Sequence, residues 1–446
     1  MANITQQFVK KIYEMQDAQF PDPVMDKSQE CFVDYVSVVI GGCKVYIDRN
    51  KEYIKKNYLD GKCHIFGLEG TTDLHTAVLI NAFNAHVLEL DDSHRVAMTH
   101  LGAPIFSALI GVAEIYDCTL EQILKAAVVG YETAIRLANA IQPGHKKRGF
   151  HVTGTCCTAG CAMGIASMLN YSEDEMRNVF SASVTSAAGL LAVISGKSEQ
   201  KPYNCANAAV AGVNAALYGK FFEGAVDILG DSRGFFHAAA DEVQAGRLFE
   251  EGYAILSIYQ KLYAACRHCH APMEAMLKIR DEFSLDDVEK IVVKVYDIAI
   301  NGHDHTEIEG ISSAKQSIPY GVAAACIFGD CGSDSFTDEK IGDERISNLI
   351  KKVAVVEDPE LTALVPEKRA AIIEVVLRDG TEVSQRVDYA KGEPENPITQ
   401  DEWMEKFCGL LRSVGIEEDK AMCFYQFLQA GDGIPVSRFF INHMFE

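Results

Sequence analysis

The chain has 446 residues, 48% of them hydrophobic, and a formal net charge of −22. This is enough length for two domains and the composition of a soluble globular protein. The acidic balance excludes nucleic acid and an anionic membrane surface as partners, and no stretch reaches the about 18 uninterrupted apolar residues of a membrane span. The opening Met-Ala-Asn-Ile-Thr-Gln-Gln has neither the basic start nor the apolar run of an export signal, so a cytoplasmic protein is expected. The 14 cysteines include Cys31, Cys43, Cys118 and Cys326, each alone in an apolar helical run, where a thiol behaves as a small hydrophobe. Cys266-Arg-His-Cys269 has CxxC spacing, but no second pair follows at zinc-site spacing, so no metal is expected.

Residues 1–267 read as a succession of helices. Asp26 and Gln29 resemble an N-cap and its reciprocal partner before the apolar run Cys31 to Ile40. Thr119 with Gln122, and Ser172 with Glu175, repeat that signature. Helices are predicted over Leu74 to Leu90 and Ala103 to Ile115. The small-residue runs Ser181 to Ala192 and Ala206 to Ala216 imply close helix-to-helix approach, and Gly224 is placed to end the helix holding Phe221 and Phe222.

The pattern changes beyond residue 284. Ile291, Val293 and Val295 alternate with polar neighbours as a strand does, and Ala370 to Leu377 is a second β-branched run. Asp379-Gly380 turns that run into Thr381 to Val387 as a hairpin. Pro319 to Phe328 and Ile346 to Lys352 read as helices between the strands. The expected architecture is mainly α: a helical-bundle domain over 1–267, a smaller α+β lid domain over 268–395, and C-terminal helices over 396–446 returning to the first domain.

Between the helices predicted on either side, Asn84 to Pro104 places Asp91, Asp92, Ser93, His94, Arg95 and His100 within ten residues. Burying such charge without partners costs several kcal/mol per group, so the segment is expected to line a cleft. His151, in Arg148-Gly-Phe-His151, precedes a helix start, where N–H donors attract anions. Lys201-Pro202 puts a lysine at the positive end of a helix dipole, which an anionic ligand would compensate. The run from Lys261 through Cys266, Arg267 and His268 to His270 lies at the domain junction, a common place for clefts. Ser317-Ile-Pro-Tyr320 could present hydroxyls to the same space. His303-Asp-His305 is set aside as a loop with only three close groups, and Cys156-Cys157 as helix packing. Together His94, Arg95, His100, His151, Lys201, Lys261 and Arg267 make a positive pocket beside Asp91 or Asp92. Such a set binds a small polycarboxylate and moves protons next to it. No dinucleotide or P-loop signature is present, and nothing in the sequence demands a cofactor.

Four segments in this order, His86 to Pro104, the Arg-Gly-Phe-His151 loop, Lys201-Pro with its following Asn-Ala-Ala, and Lys261-Leu-Tyr to His270, resemble the MmgE/PrpD family over about residues 30 to 390. The resemblance implies a homodimer whose helical domain is built from both chain ends. It also implies action on small di- or tricarboxylates without a cofactor: dehydration of 2-methylcitrate, decarboxylation of cis-aconitate or epimerisation of iminodisuccinate. Carried onto this chain, Asp91, Ser93, His100, His151 and Lys201 are the expected catalytic set. Asp92, His94, Arg95, Lys261, Cys266, Arg267, His270 and Tyr320 are the expected substrate-binding set. Departures are Glu89 for an aspartate, Ser93 for a threonine, and Cys266 where the decarboxylase branch has a histidine nearby. His94-Arg95 resembles the epimerase branch. Dehydration is the first expectation, epimerisation the second and decarboxylation the third, with a non-catalytic anion-binding protein as the rival class.

Overall fold

Helix starts follow the capping chemistry of the chain. In the computed structural model, which describes residues 2–57, 59–194 and 196–430, Thr119 and Gln122 form a reciprocal box at the head of Leu120–Ile141. Ser172 and Glu175 do the same for Glu173–Thr185, and Asp73 caps Leu74–Val87. Three expectations are corrected. Asp26 caps nothing, because Pro23 in the first turn already starts the helix Asp22–Cys43. The run from Ser181 leaves helix after Thr185, since the chain crosses to the loop before the next site helix. There His151 N–H donates to Gly189 O at 3.1 Å, and Leu191 N–H to Gly149 O at 2.8 Å. Gly224 ends no helix: Lys201–Leu217 stops earlier, Phe221 lies in a 3-10 turn, and Gly224 N–H is held by Asn178 Oδ1 at 3.0 Å.

The helical layer is built around Val152–Met168, which packs against Leu120–Ile141 on one side and Lys201–Leu217 on the other. The first contact is backbone to backbone. A Cβ on Gly130 would lie 2.9 Å from Gly160 O, and one on Gly160 would lie 2.7 Å from Gly130 O. Leu74–Val87 lies between Lys201–Leu217 and Asp22–Cys43. Gln400–Arg412 packs against Asp22–Cys43, where Lys406 pairs with Asp34 and donates to Leu90 O at 3.0 Å. A further helix, Glu418–Ala430, follows; the helical expectation for 431–446 lies outside the described residues.

The smaller layer is a four-stranded sheet in the order Val353–Glu357, Val288–Val295, Ala371–Leu377, Glu382–Val387. The first pair is parallel, with Ile291 opposite Val353, and the others are antiparallel. Ile291, Val293 and Val295 are buried, as their alternation predicted, and Gly380 makes the hairpin turn at φ +88°. Arg267–Ile279 packs on Ala371–Leu377 and Glu382–Val387, and Ile318–Phe328 packs on Arg267–Ile279. The fold is thus mainly α with a smaller α+β part. Among the described residues no helix is long and apolar enough to cross a membrane.

One buried ion pair braces the helical layer. Arg136 Nε lies 2.8 Å from Glu132 Oε2, both side chains being at most 2% exposed, and its other nitrogens donate to Glu250 O and Gly252 O. Arg136→Ala would leave Glu132 charged and unpaired, so a loss of about 3–5 kcal/mol is expected. The urea midpoint of unfolding measures it, and a shift under about 0.5 kcal/mol, the size of a surface substitution, would contradict the pairing.

Candidate active site

Leu74–Val87 ends in a backbone conformation few side chains adopt: Glu89 has φ +57°. Its buried carboxylate pairs with Lys201 and lies 3.5 Å from Lys261 Nζ, which also donates to Glu89 O at 2.9 Å. Burial alone would raise the Glu89 pKa, but the two ammonium groups hold it well below the usual range. The charge that Lys201 requires at its helix N-terminus is therefore supplied from within the chain.

Two residues on, Asp91 faces two imidazoles. His86 Nδ1 is 2.8 Å from Asp91 Oδ2, and His100 Nδ1 is 3.3 Å from the same oxygen, within ion-pair reach but off the line of a straight hydrogen bond. Burial pushes the Asp91 carboxyl up, and the two histidines outweigh it and hold it far down. With Nδ1 turned to Asp91, His100 offers Nε2 to the cavity. Burial is the main cause of its pKa falling to about 4, only partly offset by Asp91. The loop between the two is tied by Ser93 Oγ and His94 N–H, both donating to Thr99 O, and pairs through Ser93–His94 with Ile258–Tyr259.

The cavity lies between the two layers. The helical layer contributes Ser93, His100, Lys146, His151 and Lys201, and the junction and smaller layer contribute Cys266, Arg267, His268, His303, Gln316 and Arg369. Lys201 and Gln316 also border a larger cleft lined by Glu89 and Lys315. His151 Nδ1 accepts from the Asn204 amide at 3.2 Å, which puts the ring proton on Nε2. Burial, then Lys201, holds its pKa well below normal. Arg267 pairs with Glu393 and stacks 4.5 Å over Tyr259, yet its Nε and Nη1 have no hydrogen-bond partner. Lys146 is brought to about 8, mainly by burial.

Of the residues expected at the site, Ser93, His100, His151, Lys201, Cys266 and Arg267 line this cavity, and Asp91 stands directly behind His100. Six do not line it. Asp92 accepts from Gly102 N–H at 2.7 Å and Tyr131 OH at 2.5 Å, so it caps Gly102–Tyr116 from within the core. His94 accepts from Ala97 N–H at 2.9 Å and shapes its own loop. Arg95 turns to Glu393 and Glu395 at 3.1 and 2.7 Å. Lys261 is fully buried as the second counter-ion of Glu89. His270 faces Ala265 O at 3.0 Å, and Tyr320 OH donates to Ser335 O at 2.7 Å inside the smaller layer.

Beyond the expected set, the site and its backing also include His86, Lys146, His268, His303 and Arg369. His303 had been set aside with His305, but the two part company. His303 Nε2 is 3.1 Å from Cys266 Sγ, whereas His305 turns to Ser313. His268 stood within the junction segment, while Lys146 and Arg369 carried no signal beyond being basic. Among the described residues, two sets have donor atoms close enough for a metal, Cys266/His268/His303 and His86/Asp91/His100. In the first, Lys146 Nζ stands 3.0 Å from His268 Nε2 and Arg369 lies in the same wall, so the surroundings suit an anion better than a dication. In the second, His86 Nδ1 and Asp91 Oδ2 pair at 2.8 Å, while Asp91 Oδ1 and His86 Nε2 have no hydrogen-bond partner.

These features define a two-layer protein, a helical bundle and a smaller α+β part, with a cavity between them lined by histidines and cationic side chains. The chain belongs to the MmgE/PrpD family: the model of the MmgE/PrpD N-terminal domain matches residues 6–247, and that of the C-terminal domain residues 263–423. It is similar to the cis-aconitate decarboxylase of Aspergillus terreus, 22% identical over 432 residues covering 88% of this chain and 86% of the relative. The Mus musculus cis-aconitate decarboxylase is also 22% identical, over 428 residues, 91% of this chain and 86% of that one. A mitochondrial 2-methylcitrate dehydratase of Yarrowia lipolytica is 26% identical over 237 residues, 48% of this chain and 44% of its own.

Burial, then Arg95 and Arg369, lowers the pKa of His94 from 6.5 to about 3, so the folded chain binds fewer protons there than the unfolded one. The stabilisation from keeping it neutral is complete above the unfolded value near 6.5 and is lost as pH falls towards 3. Wild-type stability should therefore fall more steeply with acidification below pH 6.5 than that of His94→Gln. Urea midpoints across that range decide it; parallel curves would show that His94 is not buried neutral.

Proposed function

We propose that this chain is a lyase acting on a small di- or tricarboxylate by proton abstraction α to a carboxylate, with dehydration of a 2-methylcitrate-like hydroxy acid as its reaction. The observation that carries this is the pairing, in one cavity, of an Asp91-backed His100 with the unpartnered guanidinium nitrogens of Arg267. Arg267 and Lys201 would hold substrate carboxylates through charge-assisted hydrogen bonds. His100 Nε2 takes the α proton, and the C–H electron pair passes into the adjoining carboxylate as an enediolate. His151 Nε2–H stabilises that charge where it develops. The pair then forms the double bond as the β C–O bond breaks, and the oxygen leaves as water after taking a proton. Proton transfer and C–O cleavage alone balance this step, so the reading includes no cofactor. From the family resemblance it includes a homodimer.

A second reading, decarboxylation of a cis-aconitate-like acid, is favoured by the similarity to cis-aconitate decarboxylases along nearly the whole chain. Proton NMR in D2O with a panel of di- and tricarboxylates separates the two. New alkene signals with the carbon skeleton intact mean dehydration, and a product short of one carboxylate means decarboxylation. If deuterium returns to the α carbon without either change, the reaction is an epimerisation. Binding without any exchange or product would mean a non-catalytic anion-binding protein and would sink both readings.

His100→Ala should lower kcat by about 10²–10⁴-fold with the fold intact by circular dichroism. Lys201→Ala should chiefly raise KM. Wild-type turnover by His100→Ala would remove that histidine from the mechanism.

A further inference from the structure

One pair in the cavity wall has no task in the scheme above. Cys266 is the N-cap residue of Arg267–Ile279, and its N–H donates to Lys315 O at 2.8 Å, which fixes where the side chain starts. Its Sγ lies 3.1 Å from His303 Nε2. The other nitrogen of that ring, Nδ1, is 3.0 Å from Asn301 O, so it carries a proton to donate there and Nε2 is left to the sulfur. His268 packs edge-on against the same imidazole, with ring centroids 4.9 Å apart, and is itself held by Tyr296 OH at 2.7 Å. The pair belongs to the junction and the smaller layer, whereas His100 and His151 come from the helical layer, and all line one cavity.

The charges around the sulfur favour its ionised form. Lys201 at the head of Lys201–Leu217, Lys146 on Gly144–Lys147 and the buried Lys261 act on it as cations, and Glu89 opposes them. Tyr296 and Cys269 also face it, and burial pushes both of those groups up, so they stay neutral. Burial would raise the Cys266 thiol too, but His303 first and Lys201 after it bring it down to about 6. A neighbouring side chain on this wall points to an anion as well. Arg267, the next residue, is 7% exposed and turns two unpartnered guanidinium nitrogens to its surroundings.

We propose that Cys266 and His303 act as one proton-transfer pair, sharing a proton along the Sγ···Nε2 contact, and that the pair protonates the departing hydroxyl from the smaller-layer wall while His100 takes the α proton from the helical wall. This rests on the dehydratase reading. The α C–H electrons become the double bond, the C–O electrons leave with oxygen, and oxygen takes the shared proton and departs as water. The pair is left as thiolate and neutral imidazole. His100 gives its proton to solvent and the pair regains one from it, which closes the cycle. The proton that leaves is the one on the Sγ···Nε2 line, so both members of the pair are catalytic residues.

Two measurements test this. Iodoacetamide labelling of Cys266, followed by peptide mass mapping from about pH 5 to pH 9, should show a midpoint near 6 in the wild-type enzyme. In His303→Gln that midpoint should move towards the about 8.5 of a free thiol. With a hydroxy acid that the wild type dehydrates, Cys266→Ala should lose about 10²-fold in kcat with KM little changed. His303→Gln should move the pH profile of kcat along with the labelling midpoint. A midpoint at the free-thiol value in both proteins would overturn the pair, and an active Cys266→Ala variant would overturn its role alone. A wild-type enzyme that labels near pH 6 yet dehydrates none of the acids would sink the dehydratase reading, and this role with it.

Discussion

Everything at the junction depends on one buried carboxylate. Glu89 sits in a left-handed backbone conformation, clamped between Lys201 and Lys261. Those three residues belong to the turn after Leu74–Val87, the head of Lys201–Leu217 and the stretch leading to Arg267–Ile279. The clamp thus fixes the relative placement of three segments with one charge. It also makes the strained turn tenable, since a residue at positive φ persists only when its surroundings over-determine it. Released from that turn, Asp91 reaches the imidazoles two residues later.

The local electrostatics run against the net charge of the chain. A protein of charge −22 should repel a polyanion at long range. Near the site the cations are gathered and tethered: Arg95 and Arg267 both lean on Glu393, and Lys201 on Glu89. Arg267 and Arg369 each keep at least one guanidinium nitrogen without a partner. Burial keeps the cavity's histidines neutral by lowering their pKa values. An entering carboxylate adds the negative charge that raises a neighbouring imidazole's affinity for a proton. Under the proposed function, arrival of the carboxylate would itself turn His100 from a poor base into a better one.

Much of the fold was legible in the chain, because capping boxes and strand alternation are local signals. Thr119, Ser172 and the Ile291–Val293–Val295 alternation fell where expected. Asp26 failed for a local reason, the start set by Pro23; the other failures share a cause, long-range contact. Ser181 to Ala192 has a helical composition, but residues 186–191 meet the loop before Val152–Met168 and leave the helix to do so. In the site, the Asn84–Pro104 segment was found by its density of polar groups, yet density does not say which way a side chain points. Asp92 and His94 turned inward to backbone donors, and Arg95 outward to Glu393 and Glu395. Lys201 announced an anion, but the anion was Glu89. His303 sits in a loop with only three close groups in sequence, and the partner that gives it a place, Cys266, is 37 residues away.

The two walls of the cavity are not equally free to vary. On the helical side, Gly130 and Gly160 bring Leu120–Ile141 and Val152–Met168 so close that neither position has room for a methyl group. The helix headed by His151 is locked there, with no slack to pass a change of shape on to its end. The opposite wall is made of the head of Arg267–Ile279 and the loop around His303, whose placement is not set by a glycine-to-glycine helix contact. A lineage of such proteins that acquires a new substrate would have to write that change into the loop side, and its helical side would read as an unaltered inheritance.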